Sequence, residues 1–300
     1  MAGDGMTIGP WFERHGARCR SVASSISELG YRVDTIQTRY PRMVHSEVMT
    51  HRVFSRNGRS SRAVPVVTMM EEAKHPYIPF FMKNRPGMTA SEHLSEAEAF
   101  EAEAIWRAMA ESCREGVLKL QEIGVHKQWA NRPLEWFGYI DVLITSVCWA
   151  NWDALRLDGG AQPEVRDIAK VILAARNDAV PSLLKPGEWH LPYILEEERS
   201  LDVELLKRLS TARSARLTIK PFDGDASHEA ELSRYERLMI SQPVHASPAE
   251  HQCTPDVVIG RDQKGRLVWD DGRGNLLGWR QHRHEVPHES VPDPIWSLVA

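Results

Sequence analysis

The chain has 300 residues, a formal charge of −4, 42% hydrophobic and 26% charged residues. It can bury a substantial core as one large domain or two small ones. The charge gives no global attraction for nucleic acid, so any anion binding has to come from local arginine clusters. Cys19, Cys113, Cys148 and Cys253 contain no CxxC pair, which fits neither a disulfide framework nor a zinc knuckle and suits a reducing cytoplasm. Met1 to Pro10 lacks a charged start followed by an apolar stretch, so no secretory signal is expected. Trp136 to Leu155 is the most apolar segment, but Asp141, Asn151 and Asp153 make it too polar for a membrane span.

In chain order, Ser21 to Leu29 has helical composition and stops at Gly30. Tyr31 to Arg39 alternates β-branched and polar residues, predicting a strand ended by Pro41. Met43 to Phe54 predicts a helix or tight turn, Pro65 to Met70 a short buried strand, and His75 to Met88 an ordered, proline-rich loop. Ser95 and Glu98 form a capping box for a long helix with apolar positions at Phe100, Ala104, Ala108 and Val117, closed by Gly124. Pro133 suits the first turn of a helix that is apolar nearly all round through Trp149 and is expected to be central and buried. Val165, Ile168, Ala169, Ile172 and Leu173 define another helix ending before Pro181.

Leu201 to Ser210 predicts a helix, Ala215 to Lys220 a strand, Ala230 to Ile240 a helix, and Asp256 to Asp270 a hairpin turning at Gln263 to Gly265. Strands at both ends with helices between them indicate a single α+β domain over residues 1–300. No internal repeat or low-complexity tract is present.

The segment Thr50-His51-Arg52-Val53-Phe54-Ser55-Arg56-Asn57-Gly58-Arg59-Ser60-Ser61-Arg62-Ala63 alternates arginines, hydroxyls and small residues. Such a turn can present backbone N–H groups and guanidinium forks to phosphate. It can equally be a solvated basic turn. The segment resembles the signature R-H-R-x-x-S-x-N-E-x-S-x-R-Y of flavin-dependent thymidylate synthases. His51, Arg52, Ser55, Asn57, Ser60 and Arg62 agree, whereas Thr50, Gly58 and Ala63 replace the family's Arg, Glu and Tyr. Upstream, Pro41 falls at the family's distance from the motif, and Glu47 stands where the family usually has Gln.

Downstream, Asn151 to Arg156 followed by Ala161-Gln162-Pro163-Glu164-Val165 resembles the family's N-x-x-x-L-R and A-Q-x-E-I at the same spacing. By this resemblance Asn151 contacts flavin, and Arg156 sits over the pyrimidine and favours its ionised or polarised ring. Arg156 also reads simply as a cation at a helix C-terminus. Arg132, in KQWANRP, is the candidate for the arginine that holds the substrate phosphate.

Two further family segments normally precede the arginine-rich motif, but here they follow it, as Ala215-Arg216-Leu217-Thr218 and His245-Ala246-Ser247-Pro248-Ala249-Glu250-His251. The second resembles H-x-[ST]-P-F-E-H, with Ala249 in place of Phe. The resemblance therefore implies a circular permutation of the family's mixed sheet with a helical bundle, residues 1–200 carrying the motif and helical core and 201–300 the permuted part. Permutation is physically permissible because termini usually lie close together on the surface. Ser-Pro-x-Glu is also an ordinary helix start. Zinc binding by His245, His251 and Cys253, or by His282, His284 and His288, has the right ligand types but no known spacing.

The resemblance implies that reduced FAD supplies hydride, 5,10-methylenetetrahydrofolate one carbon, and NADPH regenerates the flavin, methylating dUMP to dTMP without a covalent enzyme nucleophile. Arg156 and Ser60 are the expected catalytic residues. Glu47, Thr50, Gly58, Arg59, Ser60, Ser61, Arg62, Arg132 and Arg156 are expected at the nucleotide. His51, Arg52, Asn151, His245, Ser247 and Glu250 are expected at the flavin, with sites formed between subunits of a homotetramer. The substitutions at Glu47, Thr50, Gly58 and Ala63 keep open hydroxymethylation of dUMP or another pyrimidine nucleotide as substrate. A non-catalytic nucleotide or nucleic-acid binder with the same fold is a rival of another class.

Overall fold

The computed structural model describes residues 8–87, 90, 92–219, 221, 224–240 and 244–289. Strand β1 (Phe12–Arg14) turns through His15 and Gly16 into β2 (Ala17–Ser27), which returns as β3 (Arg32–Pro41). Gly16 has φ +82°, and a Cβ there would lie 3.0 Å from the Tyr77 ring, so both conformation and space require glycine. Helix α1 (His45–Met49) and strand β4 (Ser55–Gly58) carry the arginine-rich segment, and a 3-10 turn (Ser61–Ala63) leads to α2 (Val66–Glu72). Helices α3 (Glu96–Glu122) and α4 (Lys127–Ala130) and a 3-10 turn (Arg132–Phe137) precede β5 (Tyr139–Ser146), α5 (Ala150–Arg156), α6 (Pro163–Asp178) and β6 (Ser182–Leu184). The remainder comprises α7 (Val203–Arg216), α8 (His228–Met239), a 3-10 turn (Ser247–Glu250), β7 (Cys253–Pro255), the hairpin β8 (Val258–Arg261) and β9 (Leu267–Trp269), and β10 (Trp279–Gln281).

The architecture is α+β. The main sheet runs β1-β2-β3-β5-β4, with β6 joining β2 in parallel and the other pairs antiparallel. Residues directly opposite in an antiparallel ladder share a face, so Ile36, Tyr40, Ile140, Val142 and Ile144 form one apolar surface, covered by Val165, Ile168, Ala169 and Ile172 of α6. The other face is polar at its centre, where Thr35, Gln37 and Thr145 meet His190, Leu217 and His251. The helices do not gather into one bundle: α6 lies on the sheet, α7 packs with α8, and α3 packs on α4 and the turn at Arg132–Phe137. Among the described residues no helix is long and apolar enough to cross a membrane.

Several expectations are corrected. Ser21 to Leu29 is not a helix but most of β2, because its serines and alanines have little preference of their own and pairing along β3 decides their conformation. Pro65 to Met70 is not a strand. Pro65 caps α2, and Met69 and Met70 pack with Val117, Ala130 and Leu134. The expected buried helix after Pro133 is a 3-10 turn followed by β5, an inner strand whose two covered faces give a continuous apolar run that periodicity cannot distinguish from a helix. Ala215 and Arg216 end α7 instead of starting a strand, Leu217 adopts the left-handed conformation at the helix C-cap, and Lys220 lies outside the described residues. In α3 the capping box forms, but the packed stripe is Trp106, Ala110, Cys113, Val117 and Leu120. Phe100 is 79% exposed, and Ala104 and Ala108 also face solvent.

The polar face of the sheet carries a buried hydrogen-bonded chain. Ser25 Oγ lies 2.8 Å from His190 Nδ1, and His190 Nε2 lies 2.8 Å from Thr35 Oγ1. Thr35 Oγ1 is 2.6 Å from Thr145 Oγ1, which in turn is 2.8 Å from His251 Nδ1. All five residues are fully buried. Burial pushes both imidazoles down to about 3, His190 adding to the effect at His251. In the unfolded chain they titrate at about 6.5, so below that pH the unfolded state takes up protons that the native state does not. The stabilisation from keeping them neutral is complete above about pH 6.5 and is lost as pH falls toward 3, by up to about 1.4 kcal/mol per pH unit for each histidine. Urea midpoints measured from about pH 7 to about pH 5 are expected to fall steeply, and a flat profile would contradict a buried neutral pair.

Candidate nucleotide site

The arginine-rich segment leaves α1 at Thr50, makes a tight turn, and enters β4 at Ser55. His51 is anchored in an aromatic cluster, stacked on Phe54 at 5.6 Å and meeting Trp152 edge-on at 4.8 Å. Arg156, at the end of α5, donates from Nε to His51 Nε2 at 3.1 Å and from Nη2 to Thr50 Oγ1 at 3.0 Å and the Glu47 carbonyl at 3.4 Å. Burial, then the charges of Arg156 and Arg56, hold the His51 pKa below its ordinary value. With Nε2 accepting, the neutral ring carries its proton on Nδ1. Glu47, Thr50, His51 and Arg156 are thus brought together. Asn151, one helical turn before Arg156, is exposed.

Arg52 points into a cleft of about 490 Å³ that also contains Glu250 of the Ser247–Glu250 turn. Two segments far apart in the sequence therefore face one space. Arg56 lines it as well, and its guanidinium donates to the Met49 carbonyl at 2.8 Å. Among the described residues neither Arg52 nor Arg56 forms an ion pair. His245 and Ser247 are exposed and lie outside the lining of this cleft.

A third group surrounds the turn after β4. Ser60 Oγ accepts from the Arg62 amide at 3.3 Å, while Arg62 itself is exposed. Ser61 is buried, its hydroxyl bonded to Glu135 and its carbonyl accepting from Asn131 Nδ2 at 2.8 Å. Glu135 pairs with both Arg42 and Arg132 at 3.1 Å. Arg59, expected at the nucleotide, bonds Glu72 at 2.8 Å and Asp141 at 3.3 Å, beside Arg39. At Gly58 a Cβ would meet Ile140 Cδ1 at 3.4 Å, ordinary contact, so local packing does not demand glycine there.

Sequence reading missed the residues that fasten the motif to the end of the chain. Asn275 Nδ2 donates to the Val53 carbonyl at 3.0 Å and to Ser55 Oγ at 3.1 Å. Gln281 Nε2 donates to the same Ser55 hydroxyl at 3.1 Å and to the Glu250 carbonyl at 2.8 Å. No local pattern marks these amides, since the Ser55 hydroxyl on which they converge lies more than two hundred positions away. Asn57 Nδ2, at one of the motif positions, is buried without a hydrogen-bond partner among the described residues. Among the described residues no group of three His, Cys, Asp or Glu side chains has metal-binding geometry. His251 and Cys253 are instead fully buried in the contact between β7 and the sheet.

No family model matches the sequence, and no curated protein matches it. Among solved structures, a UMP/dUMP methylase PolB from Streptomyces cacaoi bound with 5-Br UMP is similar at a TM-score of 0.45 and 18% identity, over 54% of this chain and 89% of its own. The same methylase bound with 5-Br dUMP gives 0.45 and 16%, over 54% and 90%.

Removing the guanidinium of Arg156 takes away one of the charges that depress His51. In Arg156→Ala the His51 pKa, followed by NMR titration of its ring protons, is expected to rise toward its ordinary value. An unchanged titration would show that the contact does not form in solution.

Proposed function

We propose that this chain alkylates C5 of a pyrimidine nucleotide, methylating dUMP to dTMP, with FAD, NADPH and 5,10-methylenetetrahydrofolate. The observation that carries the reading is the cleft shared by Arg52 and Glu250, because it joins the arginine-rich motif to one of the two segments whose order in the chain is reversed. The joining of His51 to Arg156 supports it by bringing the third matched stretch to the same turn. Together these contacts support a circularly permuted form of the flavin-dependent thymidylate synthase fold.

The residues present fit a dinucleotide flavin. The cleft has a volume suited to a ligand of that class, and Arg52 and Arg56 offer guanidinium donors not neutralised by a carboxylate. Bound flavin would supply hydride, the folate one carbon, and NADPH the electrons that restore the flavin. Arg52, with Glu250 opposite, would hold the cofactor. Arg156 would stabilise negative charge on the pyrimidine, its orientation fixed by neutral His51 and Thr50. Ser60 and Arg62, exposed at the turn, are free to meet a phosphate, with Arg132 nearby on Glu135. Ser60 acts by positioning the nucleotide and needs no activated hydroxyl.

Arg56 donates from beside the position that Thr50 takes from the family's arginine, and Arg59 is committed to Glu72 and Asp141. A nucleotide pocket altered in this way favours, as a second reading, transfer of a hydroxymethyl group or use of a different pyrimidine nucleotide. Assembly as a homotetramer is part of the proposal, and Phe100, Ile105 and Met109 leave α3 with apolar side chains for such contacts.

Incubation with FAD, NADPH, methylenetetrahydrofolate and each pyrimidine nucleotide, followed by mass measurement of the product, tests substrate and reaction together. A mass gain of one methylene on dUMP is expected, and hydroxymethyl addition would select the second reading. Arg156→Ala is expected to abolish turnover while its circular dichroism and unfolding midpoint stay close to the parent's. Retained turnover would remove Arg156 from the mechanism, and a colourless protein that takes up no FAD would favour a non-catalytic binder.

A further inference from the structure

A second cavity, of about 380 Å³, is lined by the β1–β2 turn, by Phe80, Met82 and His93, and by the first turns of α6. It shares no lining residue with the cleft at Arg52 and Glu250. Of its lining only Ala161 and Pro163 fall within a segment matched to the family, and both side chains are aliphatic.

The turn carries a residue that its backbone does not select. Strands β1 and β2 pair up to Arg14 and Ala17, which leaves His15 and Gly16 as a two-residue loop with φ of +41° and +82°. Positive φ at both loop positions is best met by Asn-Gly, Asp-Gly or Gly-Gly. The His15 ring is held by partners outside the turn: Nδ1 lies 2.7 Å from Asp167 Oδ2, and Phe80 meets the ring edge-on at 5.3 Å. Asp167 is buried and also accepts from Arg14 Nε. An ionised carboxylate only accepts, so Nδ1 carries a proton and Nε2 is the end of the ring left for another partner. Among the described residues nothing bonds Nε2.

The charges in the lining are unequal. Arg14, Arg166 and Lys170 stand against the single carboxylate of Asp167. Arg14 is paired with that carboxylate, and Lys170 reaches it only at 4.0 Å. Arg166 forms no ion pair among the described residues. Its Nη1 donates to the Gly159 carbonyl at 3.1 Å, which orients the guanidinium without neutralising it. Phe80 and Met82 add apolar surface to the same space.

We propose that this cavity is a ligand site, separate from the cleft at Arg52, for a small organic dianion with an apolar body. Arg166 and Lys170 bind its charged group, His15 Nε2 makes a further hydrogen bond, and Phe80 and Met82 cover the apolar body. A buried carboxylate that fixes an imidazole on a strained turn is a costly arrangement for the turn alone, and a ligand contact at Nε2 accounts for it. The required chemistry is a doubly charged anion on an aryl or alkyl group, which a phosphate monoester or a dicarboxylate supplies.

Calorimetric titration of the full chain with phenyl phosphate, phthalate and inorganic phosphate tests the site and separates the two sources. At least one of the two aryl anions is expected to bind about tenfold more tightly than inorganic phosphate, and the one that binds identifies the source. Arg166→Ala should weaken it by about tenfold. His15→Asn places in the turn a residue that the backbone favours, so the unfolding midpoint should hold or rise while affinity falls. A lowered midpoint would make His15 structural and remove it from the site. Arg52→Ala should leave the affinity unchanged, and a loss there would assign the binding to the other cleft and overturn the proposal. Unchanged affinity in Arg166→Ala, or no preference for either aryl anion over inorganic phosphate, would overturn it as well.

Discussion

The hydroxyl and imidazole chain from Ser25 through His190, Thr35 and Thr145 to His251 is the constraint on which the rest of the molecule depends. It crosses three neighbouring strands and then leaves the sheet for two segments much later in the sequence. A buried donor or acceptor left without its partner costs about 1–3 kcal/mol, so these groups strongly favour the one arrangement that satisfies them. His251 directly follows Glu250, and fixing its ring against Thr145 fixes where the preceding turn can lie. The polar centre of the sheet thereby converts a long-range topological problem into local hydrogen-bond matching.

The same logic holds the turn at Arg52 and the turn at Glu250, far apart in the sequence, around one cleft, and side-chain amides supply the link. Ser55 is the shared point. Its hydroxyl receives Asn275 and Gln281, while its backbone belongs to β4 beside Thr145. Gln281 in turn reaches Glu250. Ser55, a motif position, is thus a structural junction between β4 and the end of the described chain. Asn57, two residues along the same face, has a buried amide nitrogen with no partner among the described residues.

How much was legible in the sequence follows from how local each signal was. The capping box of α3, the apolar period of α6 and the hairpin at Gln263 to Gly265 formed where expected because their causes lie within a few residues. The strands β2 and β5 were misread as helices because serine, alanine and unbroken apolar runs acquire their conformation from neighbouring strands. At the candidate site, the contact of His51 with Arg156 and the shared cleft of Arg52 and Glu250 correspond to motif spacing. The commitment of Arg59 to Glu72 and Asp141 could not be read in that way, since it depends on a helix and a strand brought together only by folding.

That distinction among arginines bears directly on recognition. An arginine held by carboxylates on both sides is already satisfied and adds little attraction for an anion, whatever motif it belongs to. Arg59 is of this kind, between Glu72 and Asp141, whereas Arg42 and Arg132 share the one carboxylate of Glu135. Arg156 is held differently, by a neutral imidazole, a hydroxyl and a carbonyl. Those partners orient the guanidinium without cancelling its charge. A cation positioned by neutral acceptors remains available to stabilise negative charge developing beside it, which separates Arg156 in kind from the arginines whose charge the fold has already neutralised.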